Sequence, residues 1–330
     1  MLADSLIKRG RLMSLIMRLI AQRVALGVLL LFAVSVLIFA GTQILPGDVA
    51  QSILGQSATP TALANLRAEL GLNDPAYVRY FRWLGGVLTG DLGTALSNRQ
   101  EITATLLPRL WNTLFLAFWA AIVAVPLAII LGLLAVRYRD GMIDKLISGF
   151  SLSSASLPEF FIGYLLVYLF AVKLQWFPGI STVYDSMPFL ERMRAVALPA
   201  TVLTLVSLAH MMRMTRAAIL NVMQLAYIET AELKGLRPIE IIRRHAFPNA
   251  IAPVINVVML NLASLVVGVV VVEVIFVYAG MGQYLVDHVS KRDVPVVQAV
   301  GLIFAAVYIG LNIIADVAAI IANPRLRHPK

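Results

Sequence analysis

Six apolar runs divide the chain, at about 24–42, 111–136, 146–172, 196–210, 251–279 and 296–321. Most of them reach the ~20 residues that a helix needs to cross a ~30 Å hydrocarbon core. The fourth is the shortest and runs into Arg213 and Arg216, so the pattern leaves its inner end open. The first follows Lys8, Arg9, Arg11, Arg18 and Arg23. It is longer than the apolar stretch of a signal peptide, and it reads as a retained span with a cytoplasmic N-terminus.

Between the first two runs lies 45–110, the one long segment with soluble character. Turn chemistry marks it at Pro46-Gly47-Asp48, Gly71-Leu72-Asn73-Asp74-Pro75 and Gly90-Asp91-Leu92-Gly93. Helical patterns run over 61–70 and 77–88, and its charges roughly cancel. Basic residues gather in alternate connections instead. Arg137, Arg139 and Lys145 lie in one, Arg213, Arg216, Lys234, Arg237, Arg243 and Arg244 in another, and Arg325, Arg327 and Lys330 at the end. The opposite connections include Asp185, Glu191, Asp287 and Asp293. With six spans this bias puts both termini in the cytoplasm and 45–110 outside. The chain then divides into 1–44 (N-terminal segment and first span), 45–110 (extracytoplasmic insertion), 111–322 (transmembrane domain) and 323–330 (cytoplasmic tail).

Composition narrows the class further. The chain is 60% hydrophobic and 14% charged, with mean hydropathy +0.85, which excludes a soluble globular domain. Its lack of cysteine removes disulfides and thiolate chemistry. A net charge of +9 would point to nucleic acid in a soluble protein. Here it serves topology and anionic lipid headgroups, with no nucleic-acid partner. No internal repeat is visible.

The polar segment 227–249 reads as two short helices joined at a turn. Good helix formers fill 227–233, Gly235 can end that helix with positive φ, and Pro238 suits the first turn of a second helix over 239–246. Leu225, Ile228, Ala231, Leu233 and Leu236 form an apolar set rimmed by Glu229, Glu232, Lys234 and Arg237. Spacing alone fits equally a helix docking into a partner's groove and an amphipathic helix lying on the inner leaflet.

The residues carry a closer resemblance. Glu229-Thr230-Ala231, Gly235 and the later Pro248-Asn249-Ala250 with Pro253 resemble the EAA loop of bacterial ABC importer permeases, with Thr230 in place of a more usual Ala. Leu45-Pro46-Gly47-Asp48, 70–75, 90–93, Gly280-Met281-Gly282, 292–298 and Asn323-Pro324-Arg325 extend the likeness along most of the chain. Together they resemble the B-type permease subunit of the dipeptide/oligopeptide/nickel group, a binding-protein-dependent transport inner-membrane component. The first dozen residues exceed the usual start. The resemblance implies an all-α polytopic fold of six transmembrane helices, the type I ABC importer fold, with an extracytoplasmic helical insertion after the first span. It implies a coupling loop at 225–250, in which Glu229, Thr230, Ala231, Lys234, Gly235, Arg237 and Pro238 meet an ATPase. The implied partners are a homologous second permease, two cytoplasmic P-loop ATPases, an extracytoplasmic solute-binding protein and membrane lipid. No G-x-x-x-x-G-K-[ST] loop occurs in this chain, so ATP hydrolysis belongs to other chains and no cofactor is expected in this one.

Three acids lie in or near spans: Glu159, Glu273 and Asp316. Acids there line pathways or make hydrogen bonds between helices, and the residue types do not choose between the two. His210, Met211, Met212 and Met214 cluster as soft-metal ligands would, but ordinary packing explains them and no metal site is expected. Two other functions fit the pattern without the resemblance. One is a proton-coupled secondary transporter using Glu273 or Asp316, and the other is a membrane scaffold that recruits a partner through 227–249. Similar subunits carry peptides, glutathione, opines or nickel complexes, so the cargo stays open.

Overall fold

A computed structural model describes residues 2–44, 49–69, 71–184 and 186–322. The motif residues at 45–48, 70, 185 and 323–330 lie outside the described residues. Among those described, the only extended pairing is an isolated bridge between Thr94 and Glu101, and the rest is helix and turn.

In chain order the helices are α1 (Leu2–Ile44), α2 (Val49–Leu54), α3 (Pro60–Glu69), α4 (Ala76–Thr89), α5 (Ile102–Arg137), α6 (Met142–Ser156) and α7 (Glu159–Leu166). They continue with α8 (Phe189–Met223), α9 (Ala226–Leu233), α10 (Pro238–Ile241), α11 (Phe247–Ile275), α12 (Met281–Ser290) and α13 (Val294–Ala322). Five stretches are long and apolar enough to cross a membrane: Met17–Ile44, Ile102–Arg137, Phe189–Met223, Pro238–Ile275 and Val294–Ala318. The pair Met142–Ser156 and Glu159–Lys173 makes a sixth, bent by 101° at its middle.

Three sequence expectations need correction. The third span is not one continuous helix. Pro158 follows Leu157, whose backbone is extended at ψ 133°, and a residue before proline is pushed out of the helical region. The fourth is not short, because α8 runs 35 residues through Pro199 and the charged Arg213 and Arg216. An apolar window underestimates a helix whose polar residues are satisfied inside the bundle. Finally, the helix that carries the second apolar run starts before it, at Ile102.

Small residues set the close contacts. Ala117, Ala120, Ala124, Ala128, Gly132 and Ala135 are buried along one side of α5. A Cβ added at Gly132 would lie 3.0 Å from the Thr215 methyl and 3.3 Å from the Met212 carbonyl oxygen of α8. In lipid, where tails are as apolar as leucine, such close backbone approach is what holds helices together. Polar side chains add bridges: Ser151 Oγ donates to the Ala209 carbonyl (2.7 Å) and Thr204 Oγ1 to that of Ala120 (3.3 Å). At one end of α8, Arg216 meets Asp144 of α6 through two hydrogen bonds, Nε to Oδ1 at 3.0 Å and Nη2 to Oδ2 at 2.8 Å. Antiparallel α1 and α13 are joined by Arg23–Asp316 (3.1 Å) and, farther along, by Gln298 Nε2 donating to Thr42 Oγ1 (2.6 Å).

Candidate coupling loop and the carboxylate clamp

The polar loop lies at one end of the bundle. α9 ends in a paired hydrogen-bond motif: Gly235 N–H donates to the Glu232 carbonyl (2.8 Å) and Leu236 N–H to that of Ala231 (3.3 Å). Gly235 has φ +76°, a conformation that glycine adopts without steric cost. Pro238 opens α10, where no helical N–H is missed. The second helix is not separate, however. From Ile241 the chain passes through a π turn, Ile242–Ala246, directly into α11. Pro248 has no N–H to give to the Arg244 carbonyl four residues back, and its ring would crowd that oxygen. A wider turn accommodates both.

The loop's apolar residues divide between two duties. Ile228, Ala231, Ile241, Ile242 and Ala246 are buried against Val136, Ile219, Val222 and Val254, so the loop rests on the ends of α5, α8 and α11. Leu225 and Leu233 face outward, Leu233 at 83% exposure. Glu229, Thr230, Lys234, Gly235, Arg237 and Pro238 are also exposed. Ala231 alone of the seven predicted loop residues is buried. The surface offered to a partner is therefore charged, with Leu225, Tyr227, Leu233 and Ile239 as its apolar points. The apolar set seen in sequence does not face one way.

At the far end of α11, Glu273 is fully buried. Its Oε1 accepts a hydrogen bond from Thr113 Oγ1 of α5 (2.6 Å). Its Oε2 accepts from the backbone N–H of Gly282 (2.7 Å) and of Gln283 (3.1 Å), two of the free donors in the first turn of α12. Thr113 Oγ1 in turn accepts from Met281 N–H (2.9 Å). One carboxylate thus ties α5, α11 and α12 together. The glycines around it are sterically required. A Cβ at Gly280 would overlap the Glu273 carboxylate, and one at Gly282 would lie 2.6 Å from Val270 Cα. Neighbouring bonds extend the clamp. Asn112 Nδ2 donates to the Ala279 carbonyl (2.9 Å), and Arg192 Nη2 of α8 donates to Asn112 Oδ1 (2.6 Å). Tyr278 OH donates to the Asn112 carbonyl (2.9 Å), and burial pushes that phenol above its usual range, keeping it a donor.

The other predicted acids sit elsewhere. Asp316 pairs with Arg23, and Glu159 is half-buried at the first turn of α7, beside the bend, 114 positions away in sequence from Glu273. His210 lies 3.5 Å from Arg213, whereas Met211 and Met212 are buried and Met214 faces outward. Among the described residues no group of three His, Asp or Glu side chains is arranged to hold a metal. Sequence reading missed Thr113, Asn112 and Asp144. Thr113 and Glu273 are 160 residues apart, beyond any local spacing rule. The signal available was a polar Asn-Thr pair at the start of an otherwise apolar run. The Arg292-Asp293 motif also gains a reason: Asp293, buried, accepts from Leu96 N–H (3.1 Å) and Ser97 N–H (2.8 Å), fixing the loop before α5.

Residues 124–328 match the family described as binding-protein-dependent transport system inner membrane component, and 16–117 match its N-terminal companion. The chain belongs to that family. This permease is 36% identical over 314 residues to a putative peptide transport system permease protein of Brucella abortus (strain 2308), covering 94% of this chain and 99% of that protein. It is 33% identical over 338 residues to the dipeptide transport system permease protein DppB of Escherichia coli K12, covering 95% and 100%. With the oligopeptide transport system permease protein AppB of Bacillus subtilis (strain 168) it shares 32% over 312 residues, covering 94% and 99%. Among solved structures it resembles an inward-facing form of the MetNI methionine ABC transporter, with TM-score 0.50 and 17% identity, over 66% of this chain and 96% of that one. That likeness speaks for the fold, the type I importer fold read from the sequence. The family and the apolar helices make the permease a multi-pass inner-membrane protein.

Proposed function

We propose that this permease forms half of the translocation pathway of an ATP-driven ABC importer for peptides, delivered by an extracytoplasmic solute-binding protein. The observation that carries the reading is the exposed, charged α9–Gly235–α10 loop, which rests on the ends of three long helices. Peptide cargo is supported by the three relatives, all permeases of peptide systems. A homologous second permease completes the pathway, and two separate ATPase chains dock on the coupling loops. Both termini and the loop are cytoplasmic, and the 45–110 segment is on the outer side. Glu229, Thr230, Lys234, Gly235, Arg237 and Pro238 meet the ATPase, while Ala231 seats the helix on its own bundle. ATP binding draws the loops together and favours the outward-open arrangement through its greater affinity for that state. Hydrolysis returns the inward-open one. Glu273 holds helices together here rather than relaying protons, since both its oxygens are occupied as acceptors.

The test is a pair of loop variants in the assembled transporter. At Gly235 there is open space for a side chain but φ is positive, so Gly235→Val strains only the backbone, by about 1–2 kcal/mol. Glu229→Lys reverses a charge on the exposed rim. Both variants are expected to reach the membrane, to lose co-purifying ATPase and to lose uptake in proteoliposomes. Full assembly and full uptake in both would remove the loop from the coupling role.

A further inference from the structure

We propose that α4, in the segment that reads as a soluble insertion, is embedded in the outer lipid leaflet, with Tyr77, Phe81, Leu84 and Leu88 against the acyl chains. Two observations carry this independently: the depth at which α4 is tied to α1, and the direction of its free apolar face.

Depth follows from the polar links between α1 and α13. Arg23–Asp316 marks one end of their contact and Thr42–Gln298 the other. The helical rise from Arg23 to Thr42 is about 28 Å, close to the ~30 Å of a hydrocarbon core. Between these links every outward α1 side chain is apolar where the exposure is greatest, as at Val28, Leu29 and Leu37. Ser35 lies inside this interval, about 10 Å short of Thr42 on the same rise. It is buried, donates to the Phe32 carbonyl (2.7 Å), and receives the Tyr80 hydroxyl of α4 at 2.8 Å. The Tyr80 ring packs edge-on to Phe32 and Phe39 (centroids at 6.5 and 5.4 Å), and Trp83 lies 6.1 Å from Phe39. A helix pinned there lies about 10 Å below the outer boundary, the depth at which interfacial amphipathic helices settle.

Direction follows from the helix period. Tyr80 and Trp83 face α1, Val87 follows them on the same side by the helix period, and Arg82 pairs with Asp74 (2.8 Å) on the opposite side. Between these faces runs the stripe Tyr77, Phe81, Leu84 and Leu88, at i, i+4, i+7 and i+11. Tyr77, Phe81 and Leu88 are 67%, 63% and 79% exposed. In water that stripe has no reason to stay open. Beside α1 it continues the same apolar surface that α1 turns to lipid. Lipid is therefore the occupant, rather than a second protein. The inference rests on the membrane reading of α1 alone, so its failure leaves the transport assignment standing.

The chain has no cysteine, so single-cysteine probes read without background. Phe81→Cys and Leu88→Cys, with Leu37→Cys on α1 as the lipid reference and Arg99→Cys in the following loop as the water reference, would each carry a fluorophore. The full chain, produced with its natural partners, would be reconstituted in phosphatidylethanolamine and phosphatidylglycerol vesicles holding a trace of lipid spin-labelled along the acyl chain. Quenching at 81 and 88 should match that at 37, and a membrane-impermeant thiol reagent added from either side should label 99 but not 81 or 88. Labelling of 81 and 88 as fast as 99 would overturn the proposal in favour of a water-exposed helix. Shielding from both lipid quencher and reagent would overturn it in favour of a protein neighbour.

Discussion

Removing the Glu273 carboxylate should separate α12 from the bundle more than any other single polar change. In Glu273→Ala, the N–H groups of Gly282 and Gln283 and the Thr113 hydroxyl lose their acceptor inside a buried site. Each buried donor left unpaired costs about 1–3 kcal/mol, so the three together lose about 3–9 kcal/mol, and the vacated volume adds a cavity term on top. Glu273→Gln behaves differently. Its amide oxygen can take the Oε2 position and keep both backbone N–H bonds, while its NH2 turns to Thr113 Oγ1, which already accepts from Met281 N–H. The hydroxyl proton of Thr113 and the second amide N–H are then stranded, for a loss of about 2–6 kcal/mol with no cavity to add. Thr113→Val removes that stranded proton in the Gln background but also the acceptor of the Gln amide, so the two substitutions should be non-additive, and the coupling is read from a double-mutant cycle. The assay is loss of the monodisperse peak on size-exclusion chromatography after heating in detergent, with the cysteine-free chain tagged for fluorescence. The expected order of apparent melting is wild type, then Gln, then Ala far below. An Ala variant as heat-stable as wild type, or a Gln variant worse than Ala, would refute the clamp.

Breaking the Asp144–Arg216 pair should cost more when the arginine is removed than when the aspartate is: Asp144→Ala leaves the guanidinium half in protein, whereas Arg216→Ala leaves a carboxylate that is only 7% exposed and keeps just the Asp140 N–H and Ser148 hydroxyl as partners. The cost of Arg216→Ala should therefore be the larger, on the order of 3–5 kcal/mol, and the same heating assay checks the order. For topology, a cysteine at Ser97 should react with an impermeant reagent only from outside and one at Lys234 only from the cytoplasm; the reverse pattern would invert the orientation proposed for the loop.

Much of the fold was legible because the lipid core imposes a length on every span. The motif glycines and the Gly235 turn were legible for the same kind of reason: a local backbone demand is written locally. What escaped was written at long range. Glu273 stood out as an acid in an apolar run, but Thr113 is an ordinary residue until α5 passes beside α11. The bend at Pro158 was overlooked because an apolar window averages across it. The length of α8 was underestimated because its arginine is paired inside the bundle, which hydropathy counts as if it faced lipid. In the loop, the two-helix reading missed that Pro248 asks for a wider turn rather than a break, and this joined the second helix to the span.

That joint has a mechanical consequence. Pro238–Ile275 is one rod of 38 residues, roughly 55 Å from end to end. The turn at Gly235 is attached to one tip and the Glu273 clamp sits at the other. Stiff rods convert angle into distance: a tilt of about 5° about one tip carries the other through about 5 Å, the height of one helical turn. The π turn near the loop tip is the soft place in the shaft, where a change of one residue in winding alters the aim without breaking the rod. Under the proposed coupling role, force applied at the loop tip would need no relay of rearranging side chains to be felt at the other end of the rod. It would arrive there as leverage.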